Sequence, residues 1–379
     1  MHRAYGHSHQ RREWLRPGMY WTHYPMHRTI AAGEAISDMT APNDEAACRL
    51  AAALQDYLAE NGTVRDVRIM PDGHAGTTFG FELARADGGV GSYIFKKAPD
   101  GVPRRGSTDI FRQARLLRAL HAAGLPVPDV PWAGPGDAPF GAPYIVMNRL
   151  PGRSLIVWDP APSLLAAFAD RAAIWTETAR LMGELHGFDW RASLGDWETA
   201  TSLAAELDRW TRLLRHMKDE ARQAQALVLA GRLRAAMPAD EPVGLVHGDL
   251  QPGNLLFDRG RATGLIDWDL AAIAPLGLDV GWLLMVADPR CWAPDWTPVA
   301  PPPRAQLLEA YREAGGHALA DLDWHQAFAA FRMAAITGLN LKLHRDGRRH
   351  DPVWERFGAS LPFLLGAGAA LLNDMEQGQ

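Results

Sequence analysis

Residues 245–270 read LVHGDLQPGNLLFDRGRATGLIDWDL, in which polar side chains alternate with short apolar runs. The apolar runs predict brief buried strands at residues 243–246, 255–257 and 265–266. A Pro-Gly pair and an Arg-Gly pair predict the turns between these strands. Asp249, Asn254 and Asp267 each lie where an apolar run begins or ends, so we expect the three side chains to converge on one cleft.

These three side chains carry the groups that phosphoryl transfer from ATP requires. The charge of the γ-phosphoryl group is neutralised by Mg²⁺, which prefers hard oxygen ligands such as an amide and a carboxylate. A second carboxylate must accept or orient the proton of the attacking hydroxyl group. Asp249, followed five positions later by Asn254 and then by Asp267, reproduces the order of these groups in protein kinases. Asp269 is open between a second metal contact and a structural acceptor.

Three motifs follow a family pattern: HGD at residues 247–249, Asn254, and IDWD at residues 266–269. From about residue 64 to residue 284 the chain resembles the aminoglycoside phosphotransferase and choline kinase group of kinase-like small-molecule phosphotransferases. The resemblance implies that Asp249 is the catalytic base, that Asn254 and Asp267 bind Mg²⁺, and that His247 braces the loop. It also implies an α+β, two-lobe protein-kinase-like fold, with a small mixed α/β N-lobe and a larger, mainly helical C-lobe.

The strand predicted at residues 91–97 ends in two lysines. Alternation places Lys96 on the same face as Ile94, where a buried ammonium needs an anion. The resemblance implies that this anion is the α- and β-phosphates of ATP. In kinases a Glu on the following helix steadies the lysine, but here the position carries Gln113. An amide brings no compensating charge, so either the lysine is held more loosely or another carboxylate, such as Asp109, takes the role.

Two further segments are candidates for the ATP site. The loop PDGHAG at residues 71–76 contains Gly73 and Gly76, which would let backbone N–H groups approach phosphates. The alternative is an ordinary hairpin turn. After the strand predicted at residues 143–147, the resemblance implies a hinge at which backbone groups from Asn148 to Leu150 bind adenine.

These interpretations divide the chain into three parts. They are an N-terminal extension and helix at residues 1–58, an ATP-binding N-lobe at residues 59–151, and a C-lobe with the catalytic loop, magnesium site and acceptor-binding helices at residues 152–379.

The C-lobe is expected to be mainly helical, with helices at residues 172–186, 203–237 and 280–287. Asp279 is positioned to cap the last of these helices. Only about ten residues separate Asp269 from Asp279, which leaves no room for a protein-kinase activation segment and disfavours a protein substrate. Trp292 and Trp296, in a proline-rich loop, either shape a small-molecule pocket or form a hydrophobic plug.

Composition limits the possible partners. The 379 residues suffice for two lobes, and the formal net charge of −5 does not indicate a long nucleic-acid-binding face. Cys48 and Cys291 form no CxxC motif, which predicts neither a disulfide framework nor a zinc site and fits a reducing cytoplasm. No uncharged apolar run approaches about 20 residues, so we expect no membrane span and interpret residues 357–372 as a core helix. The basic first residues lack an apolar segment, which argues against a secretory signal.

We expect a cytoplasmic enzyme that uses ATP and Mg²⁺ to phosphorylate a small-molecule hydroxyl group. A polycationic aminoglycoside acceptor would need carboxylates, for which the chain offers Asp288, Asp295, Asp321 and Asp323. An anionic acceptor such as a hydroxyacyl-CoA would need cations, for which it offers Lys342, Arg345, Arg348 and Arg349. The rival from another class is a catalytically silent nucleotide-binding module. Gln113 favours this rival, but such a module would have no need of Asp249.

Overall fold

The structure is a computed structural model that describes residues 41–70, 78–98, 109–136 and 139–378. Gly73 and Gly76, and with them the candidate phosphate loop, lie outside these residues, so their role stays a prediction.

A five-stranded antiparallel sheet forms the N-lobe, with strand order β1-β2-β3-β5-β4. Its strands are β1 (Thr63–Ile69), β2 (Thr78–Ala84), β3 (Val90–Lys97), β4 (Trp132–Gly134) and β5 (Tyr144–Asn148). Helix α1 (Ala41–Tyr57) packs on one face of the sheet, where Leu54 and Leu58 are buried with the strand aromatics. Helix α2 (Arg112–Ala122) instead packs its leucines into the core that it shares with the C-lobe. The position of α2 is therefore set by the C-lobe as well as by the sheet.

Two small sheets of the C-lobe flank the loops that contain Asp249, Asn254 and Asp267. A three-stranded sheet has the order β6-β8-β9, and β7 pairs with β10. The strands are β6 (Arg153–Ser154), β7 (Val243–Val246), β8 (Leu255–Asp258), β9 (Arg261–Leu265) and β10 (Ala272–Pro275). Short strands are thus present at the three apolar runs. Strand β7 is buried at three of its four residues, whereas β8 is buried at two of four and β9 at two of five.

Helices form the rest of the C-lobe. Their bounds are α3 (Pro162–Leu165), α4 (Ala172–His186), α5 (Trp190–Leu194), α6 (Leu203–Thr211), α7 (Glu220–Ala235), α8 (Gly277–Ala287), α9 (Arg304–Glu313), α10 (Leu322–Arg345), α11 (Val353–Ala359) and α12 (Leu361–Gly378). Helix α10 is buried on every side from Trp324 to Asn340 and packs against α8 and α12. It is therefore the central helix of the lobe.

Two sequence expectations differ from the structure. The core helix expected at residues 357–372 is two helices, α11 and α12, because the chain turns at Ser360. Trp292 and Trp296 are 1% and 3% exposed and pack edge-on against Trp158 and Phe357 respectively. Between the two readings of this tryptophan-rich loop, the structure favours the hydrophobic plug.

None of the helices in the described parts of the chain combines the length and the apolar character that crossing a membrane would demand.

The contact between α8 and α10 is close enough to require glycine. A Cβ atom at Gly281 would lie 2.4 Å from the backbone carbonyl carbon of His325. We expect Gly281→Ala to lower the free energy of unfolding by about 1–3 kcal/mol because the helices would have to separate. Gly231→Ala in α7, where an added Cβ meets no atom within 4 Å, is the matched control.

Urea unfolding measures both variants. Since alanine is the better helix former, we expect Gly231→Ala to raise stability by about 0.5–1 kcal/mol. Equal effects of the two substitutions would contradict the close α8–α10 contact.

Candidate active site

Lys96 forms an ion pair across the two lobes with Asp269. Its Nζ atom lies 2.6 Å from Asp269 Oδ1, and the side chains are 12% and 24% exposed. Gln113 of α2 donates its amide Nε2–H to the same oxygen, also at 2.6 Å. Burial lowers the pKa of Lys96, but the carboxylates of Asp269 and Asp267 outweigh it and the pKa is raised. The carboxylate that steadies Lys96 therefore comes from the IDWD motif and not from helix α2.

This contact bears on two alternatives left open by the sequence. Asp109, the other carboxylate considered for Lys96, accepts a hydrogen bond from the Phe111 backbone N–H and so belongs to the start of α2. Asp269 acts as an acceptor for Lys96 and Gln113.

Arg112 joins α2 to the same motif through the backbone. Its guanidinium donates to the carbonyl oxygens of Asp269 and Ala271, both at 3.0 Å. It also pairs with Glu198 and lies over the Trp197 ring. Helix α2 is thus bonded to the IDWD motif by two consecutive side chains, one that contacts a carboxylate and one that contacts carbonyl groups.

Asp249 lies in a buried loop between β7 and β8. It is 5% exposed, and its Oδ1 accepts a hydrogen bond of 2.7 Å from the Trp282 indole N–H. Burial raises the pKa of Asp249 to about 7, while the positive charge of Arg332 opposes the rise and Asp267 adds to it. The carboxyl group therefore combines a fixed oxygen atom with a basicity well above that of an exposed aspartate.

Asp279, on helix α8, holds this loop through its backbone N–H groups. Its two carboxylate oxygens accept the backbone N–H groups of His247, at 2.7 Å, and Gly248, at 2.8 Å. Although burial raises the pKa of Asp279, hydrogen bonds to His186 and to the His247 backbone lower it below its usual range. The expectation that Asp279 caps its helix is wrong. Helix α8 begins earlier, at Gly277, so Asp279 lies inside its first turn and binds the catalytic loop instead.

His247 joins the Asp249 loop to the loop that contains Ile266, and its hydrogen bonds select one tautomer of the ring. Its Nδ1 accepts the Asp249 backbone N–H at 3.2 Å, so the proton lies on Nε2, which is 2.9 Å from the carbonyl oxygen of Ile266. Burial lowers the pKa of His247 against the opposing effect of Asp279, which keeps the ring neutral. Both nitrogens are used, so His247 supports the loop and does not exchange protons.

Asn254 and Asp267 offer oxygen atoms on neighbouring loops. The Asn254 amide donates Nδ2–H to the backbone oxygen of Asp249 at 2.7 Å, which leaves Oδ1 as its acceptor atom. The backbone oxygen of Asn254 accepts the Ile266 N–H, so the two loops are joined one residue before Asp267. Asp267 has left-handed backbone angles, φ 66° and ψ 61°. Such strain in a residue other than glycine is typical of functional sites.

The donor set fits Mg²⁺ better than a metal held by protein alone. Among residues 41–70, 78–98, 109–136 and 139–378, no group of three or more His, Cys, Asp or Glu side chains could hold an ion. Mg²⁺ is usually bound by one or two protein oxygen ligands together with substrate phosphates and water. An amide oxygen and a carboxylate, next to a lysine for phosphate, match that pattern.

The predicted hinge lies at the end of β5. Arg149 donates its N–H to Ser92 of β3, and Asn148 donates to Asp129, both at 2.9 Å. The Asn148 carbonyl and the Arg149 N–H belong to one peptide group and point in opposite directions. Because the Arg149 N–H points towards β3, the Asn148 carbonyl points away from it. The Leu150 side chain lies against Gly264 of β9, where an added Cβ would be 2.5 Å from Leu150 Cδ1. Asn148 and Leu150 therefore flank the junction of the lobes.

Sequence reasoning did not identify Arg332. Its guanidinium donates to the carbonyl oxygen of Gly248, next to Asp249, at 2.5 Å, and the residue is only 4% exposed. A signal was present in the sequence, because Arg332 is the only Asp, Glu, Lys or Arg between Asp323 and Lys342. A charge inside a long apolar helix needs a buried partner.

The shared use of Asp269 leads to a charge-swap prediction. In Gln113→Glu two carboxylates would compete for Lys96, and we expect the free energy of unfolding to fall by about 1–3 kcal/mol. In the double variant Gln113→Glu/Asp269→Asn a single carboxylate is again bonded to Lys96, so most of the lost stability should be recovered.

Urea unfolding at neutral pH measures the single and double variants. Gln113→Met, which removes the hydrogen bond without adding a charge, is the control and should cost about 1 kcal/mol. A Gln113→Glu protein more stable than the wild type would show that Asp269 is not the carboxylate on which Lys96 depends.

Comparisons with known proteins agree with this geometry. Residues 73–361 match the model of the phosphotransferase enzyme family. Mouse acyl-CoA dehydrogenase family member 10 is 25% identical over 257 residues, which are 64% of this chain but 24% of that protein. The chain therefore spans about a quarter of the length of this relative.

Solved structures share the fold. A candidate aminoglycoside phosphotransferase from Ralstonia eutropha superimposes with a TM-score of 0.69 at 21% identity, over 85% of this chain and 98% of that one. A thermostable mutant of an aminoglycoside phosphotransferase, in complex with AMP-PNP and hygromycin B, gives 0.53 at 16% identity, over 85% and 98%. The predicted kinase-like fold and family resemblance are confirmed, and the chain belongs to the phosphotransferase enzyme family.

Proposed function

We propose that this protein is an ATP-dependent O-phosphotransferase that acts on the hydroxyl group of a small molecule. The observation that carries the proposal is the ion pair between Lys96 and Asp269. It joins the strand that would bind phosphates to the motif that contains Asp267, and the charge of Asp267 acts on both Lys96 and Asp249. Family membership and the AMP-PNP complex of a structural relative support the same function.

ATP would bind between the lobes. The carbonyl of Asn148 and the N–H of Leu150 are the proposed adenine contacts, and Gly73 and Gly76 the proposed loop over the phosphates. Lys96 would bind the α- and β-phosphates through the part of its ammonium group that Asp269 does not use. Because Asp269 and Gln113 already hold this ammonium in place, ATP would meet an ordered cation.

Asn254 Oδ1 and the Asp267 carboxylate are the proposed ligands of Mg²⁺. The ion, when bound, neutralises charge on the transferring phosphoryl group. The chain itself would fix both ligands, since Asn254 is bonded to the Asp249 backbone and Asp267 follows Ile266, which is bonded to Asn254.

Asp249 would take the proton of the acceptor. The acceptor oxygen attacks the γ-phosphorus, the bond from that phosphorus to the bridging oxygen of ADP breaks, and the hydroxyl proton moves to Asp249. Trp282 occupies Oδ1, so Oδ2 is the atom proposed to receive it. Burial favours this role because it raises the pKa of Asp249 towards neutrality.

The distribution of charge favours an anionic acceptor over a polycationic one. Among the carboxylates considered for an aminoglycoside, Asp288 is bonded to Arg290 and Gln326, and Asp323 to Arg304. A basic cluster lies where the end of α10 and the turn after it meet the segment between α6 and α7, and it consists of Arg215, His216, Lys218, Lys342 and Arg348. Burial and the four neighbouring charges of this cluster lower the pKa of His216. Among the cations considered for an anionic acceptor, Lys342 is bonded to Asp346 at 3.0 Å and Arg345 to Glu355 at 2.6 Å, so these two carboxylates offset part of the positive charge.

The distance to this cluster suggests an elongated acceptor. Ten residues of α10 separate Lys342 from Arg332, which contacts the catalytic loop, and at 1.5 Å per residue this is about 15 Å. The mouse relative is named for acyl-CoA, an anionic thioester, which makes a hydroxyacyl-CoA one acceptor class to test.

A silent nucleotide-binding module is the rival reading. Gln113 no longer argues for it, because Asp269 supplies the charge that Gln113 lacks. A binding module would also have no need to bury Asp249 and hold one of its oxygens.

Asp249→Asn tests the function. We expect kcat to fall by about 10²- to 10⁴-fold, because an amide cannot take the proton, while ATP binding is retained. The assay is Mg²⁺-dependent ADP release with panels of aminoglycosides, macrolides, amino alcohols, sugars and hydroxyacyl-CoA thioesters. Asp258→Asn, a half-exposed carboxylate on β8, is the matched control.

Turnover that appears with one panel, survives in Asp258→Asn and collapses in Asp249→Asn would identify the substrate class and the base together. Near-normal turnover in Asp249→Asn would contradict the assignment.

A further inference from the structure

Four side chains in the C-lobe form a layered stack of alternating arginine and tryptophan, here called the Arg–Trp stack: Arg209, Trp210, Arg332 and Trp282. The guanidinium carbon of Arg209 lies 5.0 Å from the Trp210 ring centroid. The guanidinium carbon of Arg332 lies on the same tryptophan at 4.7 Å and on Trp282 at 4.3 Å. Each tryptophan therefore offers a ring face to a cation, the arrangement that a ring quadrupole favours.

The outer end of the stack is anchored by Glu206. Its carboxylate accepts the Trp210 indole N–H at 2.9 Å and pairs with Arg209 at 3.1 Å. The inner end lies at Asp249, because the Trp282 indole donates to Oδ1 at 2.7 Å. Arg332 touches the same loop directly through the carbonyl oxygen of Gly248, at 2.5 Å. A continuous set of contacts thus runs from the edge of α6 to the proposed catalytic carboxylate.

Stability alone does not account for Arg332. The residue is 4% exposed, and in the described part of the chain its Nε–H has no hydrogen-bond partner. Burial lowers the pKa of Arg332, a sign that the charged form is costly at this position. An apolar side chain of similar volume would avoid that cost. An apolar side chain, however, could not donate a hydrogen bond to the Gly248 carbonyl oxygen while it packed on the Trp282 ring.

We propose that Trp282 and Arg332 are positioning residues for Asp249. Trp282 holds one carboxylate oxygen so that the other faces the acceptor hydroxyl group, and Arg332 holds both the indole and the Gly248 carbonyl in place. This inference rests on the proposed function, since it assigns a task within the same reaction.

The physical need for such residues follows from the freedom of an aspartate. Its terminal torsion has a broad, roughly two-fold preference, so packing alone leaves the carboxylate plane loosely defined. A strong hydrogen bond to one oxygen fixes that plane. Misplacement of a reacting group by about 1 Å can cost about 10²-fold in rate.

Trp282→Phe keeps an aromatic ring for Arg332 and removes the N–H donor, together with the five-membered ring that carries it, so it also leaves a small cavity at this buried position. We expect kcat to fall by about 10- to 100-fold while KM for ATP and for the acceptor stays unchanged, because binding does not depend on the carboxylate plane. Trp190→Phe controls for the loss of indole from an arginine stack, since Trp190 stacks with Arg191 at 4.4 Å on helix α5. Trp324→Phe controls for the buried cavity, since Trp324 is fully buried and its indole donates to the carbonyl oxygen of Leu233.

Arg332→Lys and Arg332→Met separate charge from shape. Lysine keeps a cation and a donor for Gly248, so it should retain more of kcat than methionine does. If Arg332→Met fails to fold, Trp282→Phe still decides the proposal because it leaves the stack in place. A Trp282→Phe enzyme with wild-type kcat, or one whose loss lies wholly in KM, would overturn it.

The hydrogen bond between Trp282 and Asp249 can also be tested by NMR spectroscopy, which does not require a substrate. In protein with ¹⁵N-labelled tryptophan, the Trp282 indole resonance is identified by its loss in Trp282→Phe. At a pH well above the pKa of Asp249, Asp249→Asn replaces the charged acceptor of that indole by a neutral one. The Trp282 resonance should therefore shift, whereas the Trp190 resonance should not. An unmoved Trp282 resonance would overturn the proposal. A protein that phosphorylates nothing yet shows the shift would retain the Asp249 contact and lose the proposed function.

Discussion

The ion pair between Lys96 and Asp269 is the contact on which the site depends. It joins residues 173 positions apart and connects the N-lobe sheet to the loop that contains Asp267. Gln113 shares the carboxylate, and Arg112 binds the backbone carbonyl of the same residue, so α2 is bonded to both the side chain and the backbone of Asp269. A glutamate on α2 would be redundant in this arrangement, which explains how the chain can carry Gln113 without an unpaired lysine.

A second carboxylate, which is fully buried, organises the loop that contains Asp249. Both carboxylate oxygens of Asp279 accept hydrogen bonds from consecutive backbone N–H groups of this loop. His247 joins the loop to the neighbouring loop by its hydrogen bond to the Ile266 carbonyl oxygen. Breaking any of these contacts would leave a buried polar group without a partner, which costs more than the bond contributes. Removing any one of these contacts would therefore destabilise the loop that contains Asp249. The Arg–Trp stack adds contacts to the Asp249 carboxylate itself, through the Trp282 indole.

The sequence predicted local elements better than long-range pairings. Strand β7 has the predicted bounds, Val243–Val246, because a buried apolar run between turns admits few alternatives. The partner of Lys96 was not predictable in this way, since no periodicity links Asp269 to a strand 173 positions away. Asp279 was misread as a cap because the helix begins at Gly277, and helix boundaries are the weakest part of pattern reasoning. Arg332 was visible only as an isolated charge, whose partners depend on how α10 packs.

Binding of AMP-PNP measured by calorimetry, with Mg²⁺ and with a chelator, tests the central claim most directly. If Lys96, Asn254 and Asp267 form one Mg-nucleotide site, as proposed, Mg²⁺ should strengthen binding to the wild type by about tenfold or more, equivalent to about 1.4 kcal/mol. Asp267→Asn should then remove most of this gain. Equal affinity with and without Mg²⁺ in the wild type would contradict the account.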